Sequence, residues 1–409
     1  MELLLIVLSM VIGLTIIAVI LFELLYLKRD TKTIAPFGKR TEWQVISENN
    51  NEKVYKSTMM FKNFNEKYEG TMSNMKVEAK ILFKNEHYDD IKVNAQIIPE
   101  VNDTGTRQDG YIPAFLMPSG KEINVDILAK FTGNLENVEQ VHAVVIRIIY
   151  CIYDRRNYYP DVISDAVLVP TREVIKTDFS ALQEKGALVY PVKTHLLTDS
   201  DDFALVIKRY AGEFLQPGDI VVIAESPIAI VEGRFKHPSN VKPGWWARRL
   251  CYFVPSKGSL SSPYGMQCAI DQIGTVKFVS AMFAGAFMKA LGKSGWFYTL
   301  AGMESELIDD LTGTIPPYDQ YIVLGPQNPE KFVYDLKAQI GVDVAIADAN
   351  DLKKARILAC TVPQAQDKIR NWMLNNPAGN SSEQTPIVVI RPDNIDSKKR
   401  NEHDQTCEV

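Results

Sequence analysis

Histidine and cysteine are both scarce in this sequence of 409 residues. The five histidines and five cysteines lie far apart, and no two cysteines have the CxxC spacing of a zinc or redox motif. This argues against a zinc site rich in histidine and against a disulfide framework. An odd, scattered set of cysteines on a chain of this length indicates a reducing compartment.

An excess of positive charge is also missing. The formal net charge is -5 and the isoelectric point is about 5.7, which argues against nucleic acid as a partner. Hydrophobic residues make up 46% of the chain. A chain of this length exceeds what one compact core serves, so we expect two domains with appendages.

The longest apolar run lies at the N-terminus. Residues 3–27 read LLLIVLSMVIGLTIIAVILFELLYL and include one charged residue, Glu23. At about 1.5 Å per residue, a helix of this length crosses a hydrocarbon core about 30 Å thick. The run lacks the basic start and the cleavage site of a signal peptide, and a buried helix is rarely apolar on every face for so long. We therefore predict a single transmembrane helix over residues 1–27, with the lipid bilayer as a partner.

Basic residues follow this run and do not precede it. Because positive charge stays on the cytoplasmic side of a membrane, we predict a single-pass membrane protein whose remaining domains are cytoplasmic. The basic residues after the run are Lys28, Arg29, Lys32, Lys39 and Arg40.

The next part of the chain shows the two-residue alternation of strands. Residues 28–45 are predicted to be a juxtamembrane linker and residues 170–186 a connector. Between them, segments such as KVEAKILFK (76–84) and EINVDILAKF (122–131) alternate apolar and polar residues, without a convincing helix. Residues 46–169 are therefore predicted to be a β-rich domain, an antiparallel β-sandwich-like fold.

Residues 187–392 change in style. Apolar strands, such as VDVAIAD (342–348), alternate with helices predicted at 201–214, 329–340 and 363–375, which favours a mixed α/β domain in a chain that is α+β overall. Residues 275–308 form an apolar insertion, in which 276–292 is either a core helix or a helix that lies on or re-enters a membrane. Residues 393–409 are polar and aperiodic, and we predict a disordered tail.

Three features could serve a ligand, and each has an ordinary structural alternative. Asp348 falls where the strand 342–348 should end, and it is either a turn-former or a metal ligand. Gly233 allows close backbone approach and Arg234 can grip a phosphate, or the pair is a turn with a surface ion pair. Lys193 closes a strand in PVKTHLLTDSDD (191–202), whose aspartates would also suit the start of a helix.

Several of these segments, in this order, resemble the coenzyme F420-0:L-glutamate (gamma-glutamyl) ligase family. Within this family, the chain is similar to bacterial members with an N-terminal extension. The resemblance implies a divergent member that is anchored to a membrane. The resemblance is carried by PVKTHLLTDSDD, GDIVVIAESPIAIVEGR (218–234), YGMQCA (264–269), IDDLTGTIPPYDQYIVLGPQNP (308–329) and the strand that ends at Asp348. Asp348 takes the position of the aspartate in the family's Asp-Thr-x-Gly-Arg motif.

The resemblance implies a ligase that depends on GTP and on Mg or Mn. GTP would activate the carboxylate of a small acid as an acyl phosphate, which the amine of glutamate attacks. The metal ligands would be Asp348 and either Asp310 or its neighbour Asp309. The nucleotide-binding side would be formed by Lys193, Gly233 and Arg234, and the family also implies a homodimer.

The chain departs from the family where basic groups are expected. After Asp348 the chain reads Ala349-Asn350-Asp351-Leu352, without the Gly-Arg of the motif. Ser226-Pro227 replaces a serine-lysine pair, and Ile230 replaces a lysine. Two hypotheses follow. The chain is a ligase-like enzyme, or it is a non-catalytic nucleotide-binding or scaffold protein at the membrane with a degenerate ligase domain.

Overall fold

A computed structural model describes most of the chain, beginning with an N-terminal helix, α1 (Glu2–Leu27). The described residues are 2–27, 34–65, 69–100, 112–154, 158–171, 179–254, 259–292, 296–302, 307–309, 314–350, 352–379 and 383–393. In α1, the side chains from residue 9 to residue 21 are described, and nearly all of them are exposed. The predicted tail (393–409), apart from Asp393, lies outside the described residues.

No single helix among the described residues is both long enough and apolar enough to cross a membrane. Ser9–Leu21 is a shorter apolar helix. The helices Pro263–Ile273 and Thr275–Ala290 reach the required length and apolar composition only as a pair, and the chain bends between them. The transmembrane helix over residues 1–27 stays a prediction.

Two antiparallel sheets form a sandwich after α1. The strands are β1 (Ile34–Pro36), β2 (Gln44–Asn49), β3 (Glu52–Asn63), β4 (Gly70–Phe83), β5 (Ile91–Pro99), β6 (Phe115–Met117), β7 (Glu122–Gly133), β8 (Val141–Asp154) and β9 (Tyr158–Leu168). One sheet has the order β1-β3-β7-β5, with β2 also on β3, and the other has the order β6-β4-β8-β9. Alternate residues of both sheets fill one core, as in β7, where Val125, Ile127 and Ala129 are buried. The β-rich prediction is confirmed.

Strand β1 lies inside the segment that the sequence assigned to a linker. It pairs with β3 from Ile34 opposite Asn63 to Pro36 opposite Phe61. Ile34 is fully buried. Residues 34–45 therefore belong to the sandwich, while residues 28–33 lie outside the described part of the chain.

The second half is a mixed α/β domain, as predicted. Its strands are β10 (Leu182–Glu184), β11 (Ala187–Val192), β12 (Ile220–Ala224), β13 (Phe235–Lys236), β14 (Ile322–Val323), β15 (Asp343–Asn350), β16 (Lys354–Cys360) and β17 (Ile387–Pro392). Its helices are α2 (Phe203–Tyr210), α3 (Glu225–Val231), α4 (Trp245–Leu250), α5 (Pro263–Ile273), α6 (Thr275–Ala290), α7 (Trp296–Ala301), α8 (Pro329–Ile340) and α9 (Gln366–Trp372). A six-stranded sheet has the order β10-β11-β17-β12-β15-β16.

The direction of the strands determines which loops meet. Strand β17 runs antiparallel to both β11 and β12, and β12 runs parallel to β15. The carboxyl ends of β11, β12 and β15 therefore lie at the same edge of the sheet, beside the start of β17. Ligands of open α/β sheets bind outside such an edge.

Sequence prediction was accurate where local signals were complete. Helix α8 has the predicted bounds: Pro329 occupies its first turn, and Gly341 ends it in the left-handed conformation with φ 80°. The apolar segment QYIVLG (320–325) forms only a short strand, Ile322–Val323, which pairs with β13 in a separate two-stranded sheet. The predicted helix 363–375 is a 3₁₀ turn followed by the shorter α9.

The apolar insertion forms helices α6 and α7. Helix α6 packs inward through Phe278, Ala281 and Gly285, and the ring of Phe278 meets that of Phe297 edge to face at 5.4 Å. Its other face is exposed, including Phe283 and Phe287. The helix is thus only partly a core helix.

The two domains are joined by a buried ion pair. Arg40 Nη2 lies 2.6 Å from Asp199 Oδ1, in the loop after β11. The same guanidinium donates to Ser57 Oγ at 3.0 Å and to the carbonyl of Val167 at 3.1 Å. Nearby, Lys39 Nζ donates to the carbonyl of Asp201 at 2.9 Å. Two of the five charges used to orient the chain in a membrane are therefore bound within the protein.

We expect Arg40→Ala to lower the midpoint of thermal unfolding by about 5 °C or more, because the change leaves Asp199 without its buried partner. Lys53→Ala is the matched control, since it removes an ion pair with Glu48, which is more than half exposed. The control should shift the midpoint by no more than about 2 °C. Equal shifts, measured by circular dichroism, would contradict the structural role of Arg40.

Candidate functional site

A cavity of about 580 Å³ lies at the edge where the carboxyl ends of β11, β12 and β15 meet. The loop that follows β11 supplies Thr194 and His195, and the β12–α3 junction supplies Glu225 and Ser226. Strand β15 supplies residues 347–350, and the residues before β17 close the opposite side. The cavity is thus built by the strand order, from segments far apart in the sequence.

Two aspartates from separate elements face this cavity. Asp348 lies on β15, and Asp309 lies beside β14, where its backbone exchanges two hydrogen bonds with Val323. Ser226 Oγ donates to Asp309 Oδ2 at 2.8 Å. Burial raises the pKa of Asp309 to about 6, and the negative charge of Asp348 adds to the increase, although the Ser226 hydrogen bond opposes it. Asp309 and Asp348 thus line the same cavity, while their role as metal ligands stays a prediction.

Asp348 lies within a strand, not at its end. Strand β15 continues to Asn350, and Asp348 is paired in register with Arg356 of β16. The hairpin turn comes afterwards: Asn350 Oδ1 accepts a hydrogen bond from the backbone nitrogen of Leu352 at 3.1 Å, and Lys353 adopts φ 57°. Asn350 therefore forms the turn, while Asp348 lies on the strand and lines the cavity.

His195 is a cavity residue that the sequence did not single out. Its Nδ1 lies 2.8 Å from the hydroxyl of Tyr210, and its Nε2 lies 3.1 Å from Asp201 Oδ1. Asp201 also accepts hydrogen bonds from the backbone and the hydroxyl of Thr198 at 2.7 and 2.9 Å. The imidazole is thus held at both nitrogens, with its ring orientation fixed. A buried histidine between two polar partners cannot be recognised from spacing alone.

The three neighbouring aspartates of this loop have different roles. Asp199 pairs with Arg40, and Asp201 holds His195. Asp202 caps α2 by accepting hydrogen bonds from the backbone nitrogens of Ala204 and Leu205. The helix-start interpretation is therefore correct for Asp202 only.

The residues predicted to bind phosphate are dispersed. Lys193 is exposed, and Gly233 lines a second cavity of about 620 Å³ between the two domains. Arg234 Nε donates to the carbonyl of Gly325 at 2.6 Å and lies 3.9 Å from Glu232 Oε2. None of the three lines the cavity that holds Asp309 and Asp348, and its described lining includes no lysine or arginine.

The predicted metal ligands are Asp348 and either Asp309 or Asp310. Asp310, the alternative to Asp309, lies outside the described residues. Within the described part of the chain, no group of three or more His, Cys, Asp or Glu side chains is placed to hold a metal ion. Asp309 and Asp348 line the cavity together with a third acidic residue, Glu225.

Two family models match the sequence. The model described as F420-0:gamma-glutamyl ligase, N-terminal Ig-like domain, matches residues 39–173. The model described as F420-0:Gamma-glutamyl ligase matches residues 191–369. Together they cover more than half of the chain, with the sandwich in the first match and the candidate cavity largely in the second. No curated protein matches the sequence.

Three solved structures are similar over part of the chain. The yeast GGA1_GAE domain is 7% identical, with a TM-score of 0.17, over 32% of this chain and 100% of its own. A FixG-related protein from Vibrio parahaemolyticus is 9% identical, with a TM-score of 0.15, over 32% of this chain and 97% of its own. The periplasmic chaperone SfaE is 10% identical, with a TM-score of 0.17, over 40% of this chain and 71% of its own. These scores carry no argument about function.

We expect Asp309→Asn to stabilise the metal-free protein at high pH. The raised pKa means that the folded state favours the protonated carboxyl, so ionisation costs stability as the pH rises from about 4 to about 6. The variant should unfold with about 1–3 kcal/mol more free energy than the wild type at pH 8, and with a similar value at pH 4.

Denaturant unfolding at both pH values, with a chelator present, measures this difference. Asp335→Asn is the control, because Asp335 is an exposed residue of α8 whose only described ion pair is with Lys331. The control should change the stability little at either pH. A variant that is less stable than the wild type at pH 8 would contradict the raised pKa.

Proposed function

Because the chain belongs to the F420-0:gamma-glutamyl ligase family, we propose that it is a ligase that depends on a metal ion and a nucleotide and forms an amide bond on a small acid. The gamma-glutamyl ligase-like character follows from the family. The metal, the nucleotide and the acceptor are our proposal. Its main support is the meeting of Asp309 and Asp348 in one cavity at the strand ends.

In the proposed reaction, the terminal phosphoryl group of GTP passes to the carboxylate of the acid and GDP leaves. The amine of glutamate then attacks the acyl phosphate, phosphate leaves, and the amide nitrogen loses a proton to solvent. Nearly all of the catalysis in phosphoryl transfer comes from positioning and charge stabilisation. A cavity with fixed polar groups at its wall suits that requirement.

The donor set fits Mg or Mn. Magnesium keeps several waters and is usually held by one or two carboxylates together with substrate phosphates, not by a complete protein cage. Two carboxylates on one cavity match that pattern, and Asp309 and Asp348 would hold the ion. When bound, the ion would supply positive charge that stabilises the phosphoryl group during its transfer.

The protein's own groups prepare the cavity for a cation. Burial raises the pKa of Asp309, and the negative charge of Asp348 raises it further because the two carboxylates repel one another in a partly dry site. A cation relieves this repulsion, so its binding is favoured. Ser226 orients Asp309, and the hydrogen bonds of His195 fix an imidazole at the same wall.

We further propose that the N-terminal helix anchors the protein to a membrane, with both domains in the cytoplasm. The proposal is supported by the apolar run of residues 3–27 and by the exposure of nearly all the described side chains of α1. A homodimer, expected from the family, is part of the same proposal.

A second function is favoured by one specific observation. The described lining of the cavity has no lysine or arginine, although phosphate sites normally carry cationic groups. The chain would then be a non-catalytic nucleotide-binding or scaffold protein at the membrane with a degenerate ligase domain. Arg356, opposite Asp348 in register, is a residue through which positive charge could still reach the site.

Titration calorimetry with Mn, with and without GTP, tests both functions. We expect Mn to bind more tightly when GTP is present, and Asp348→Asn and Asp309→Asn each to weaken Mn binding tenfold or more (about 1.4 kcal/mol). Asp335→Asn should bind like the wild type. The full chain is used, because a protein shortened to begin at Thr41 would lose β1 and Arg40.

The outcomes separate the hypotheses. Binding that is lost in both aspartate variants, with GDP release in the presence of glutamate and an acceptor acid, supports the ligase. GTP binding without turnover supports a nucleotide-binding protein. If the folded wild type binds neither Mn nor GTP, the proposed enzyme is overturned and only the scaffold hypothesis remains.

A further inference from the structure

The chain carries a strongly basic segment that its overall charge conceals. The whole chain has a net charge of -5, yet residues 242–302 contain seven lysines and arginines and one acidic residue, Asp271. The carboxylate of Asp271 accepts a hydrogen bond from Gln267, one turn earlier on α5. This segment includes helices α4, α5, α6 and α7, so positive charge is concentrated on one helical unit.

The outward face of α6 is apolar. Val276, Phe283 and Phe287 are spaced by seven and four residues, so they form one stripe, and they are 82%, 60% and 66% exposed. Lys277 and Lys289 lie near the two ends of the helix and are also exposed. Because the inward face is already packed through Phe278, Ala281 and Gly285, the outward stripe is not needed for the core.

Aromatic and basic residues are also combined on the neighbouring helix. On α4, the guanidinium of Arg249 lies 4.0 Å from the ring centroid of Trp245, which meets Trp246 edge to face. Tyr252 and Phe253 follow directly and are 84% and 80% exposed. Helices α4, α5 and α6 share one core that includes Ala247, Met266 and Phe278.

We propose that the exposed face of this basic segment, residues 242–302, lies on an anionic lipid surface. Helix α6 would lie parallel to the membrane plane with its stripe in the headgroup boundary, and the lysines and arginines would meet lipid phosphates. Amphipathic helices bind membranes through buried apolar area together with attraction to anionic lipids, and tryptophans favour the interface. The positive charge of the segment favours an anionic lipid surface over a protein groove that lacks acidic residues. This contact is separate from the proposed anchor and from the candidate cavity.

The test must distinguish this face from the N-terminal helix, so it measures contact and not overall binding. The full chain is mixed with vesicles of phosphatidylcholine and phosphatidylglycerol whose acyl chains carry bromine, which quenches tryptophan on contact. Three of the five tryptophans, Trp245, Trp246 and Trp296, lie in the basic segment 242–302. Trp372 is buried and Trp43 is partly buried, so they should contribute little quenching.

We expect strong quenching in the wild type and loss of most of it in the double variant Phe283→Asp with Phe287→Asp. The matched control, Leu205→Asp with Tyr334→Asp, changes two exposed apolar side chains on α2 and α8 and should be quenched like the wild type. Circular dichroism establishes that each variant is folded. Equal quenching in the wild type and the α6 variant, or none in the wild type, would overturn the proposal.

A second variant tests the lipid charge. The double variant Lys277→Glu with Lys289→Glu keeps the apolar stripe. It should weaken the contact with vesicles that contain phosphatidylglycerol about tenfold or more, and the contact with pure phosphatidylcholine only a little. Higher salt should weaken the wild-type contact in the same way. If the α6 variant instead abolishes self-association of a wild type that shows no quenching, the face binds a second copy and the lipid proposal fails.

Discussion

The arrangement of this protein depends on burying the charge of Arg40. A buried guanidinium is costly unless its donors are satisfied, and here Ser57, the Val167 carbonyl and Asp199 accept them from both domains. Asp199 lies in the same loop as Asp201 and His195, and His195 lines the cavity. The ion pair therefore ties the sandwich to the loop that shapes the candidate site, which gives the N-terminal domain a structural role in the function of its neighbour.

The candidate site is built on electrostatic tension between two carboxylates. Asp309 and Asp348 come from different parts of the domain and meet where solvent is partly excluded, so the pKa of Asp309 rises towards neutrality. A site of this kind gains free energy by binding a cation or a proton. In the proposed ligase, the absence of lysine and arginine from its described lining would leave phosphate recognition to the metal, to backbone groups or to Arg356.

Positive charge is concentrated in one segment of the chain, apart from the acidic cavity. The domain that holds the acidic cavity contains a segment, residues 242–302, with seven basic residues and one acidic residue. The exposed aromatic residues of that segment form an apolar surface of the kind that marks interaction sites. A lipid surface satisfies the apolar stripe and the positive charge together, and it would place the cavity's domain beside a membrane whether or not α1 spans it.

Local patterns in the sequence determined the elements whose signals are contained within a few residues. Helix α8 was predictable because its amphipathic period, its N-terminal proline and Gly341 lie within one short segment, and strands β11, β15 and β17 because they are continuous apolar runs. Only the tertiary structure decided that Ile34 starts a sheet, that Arg40 is buried, that His195 lines the cavity, and that Lys193 and Arg234 do not. Those outcomes depend on contacts between residues far apart in the chain, to which local periodicity does not respond.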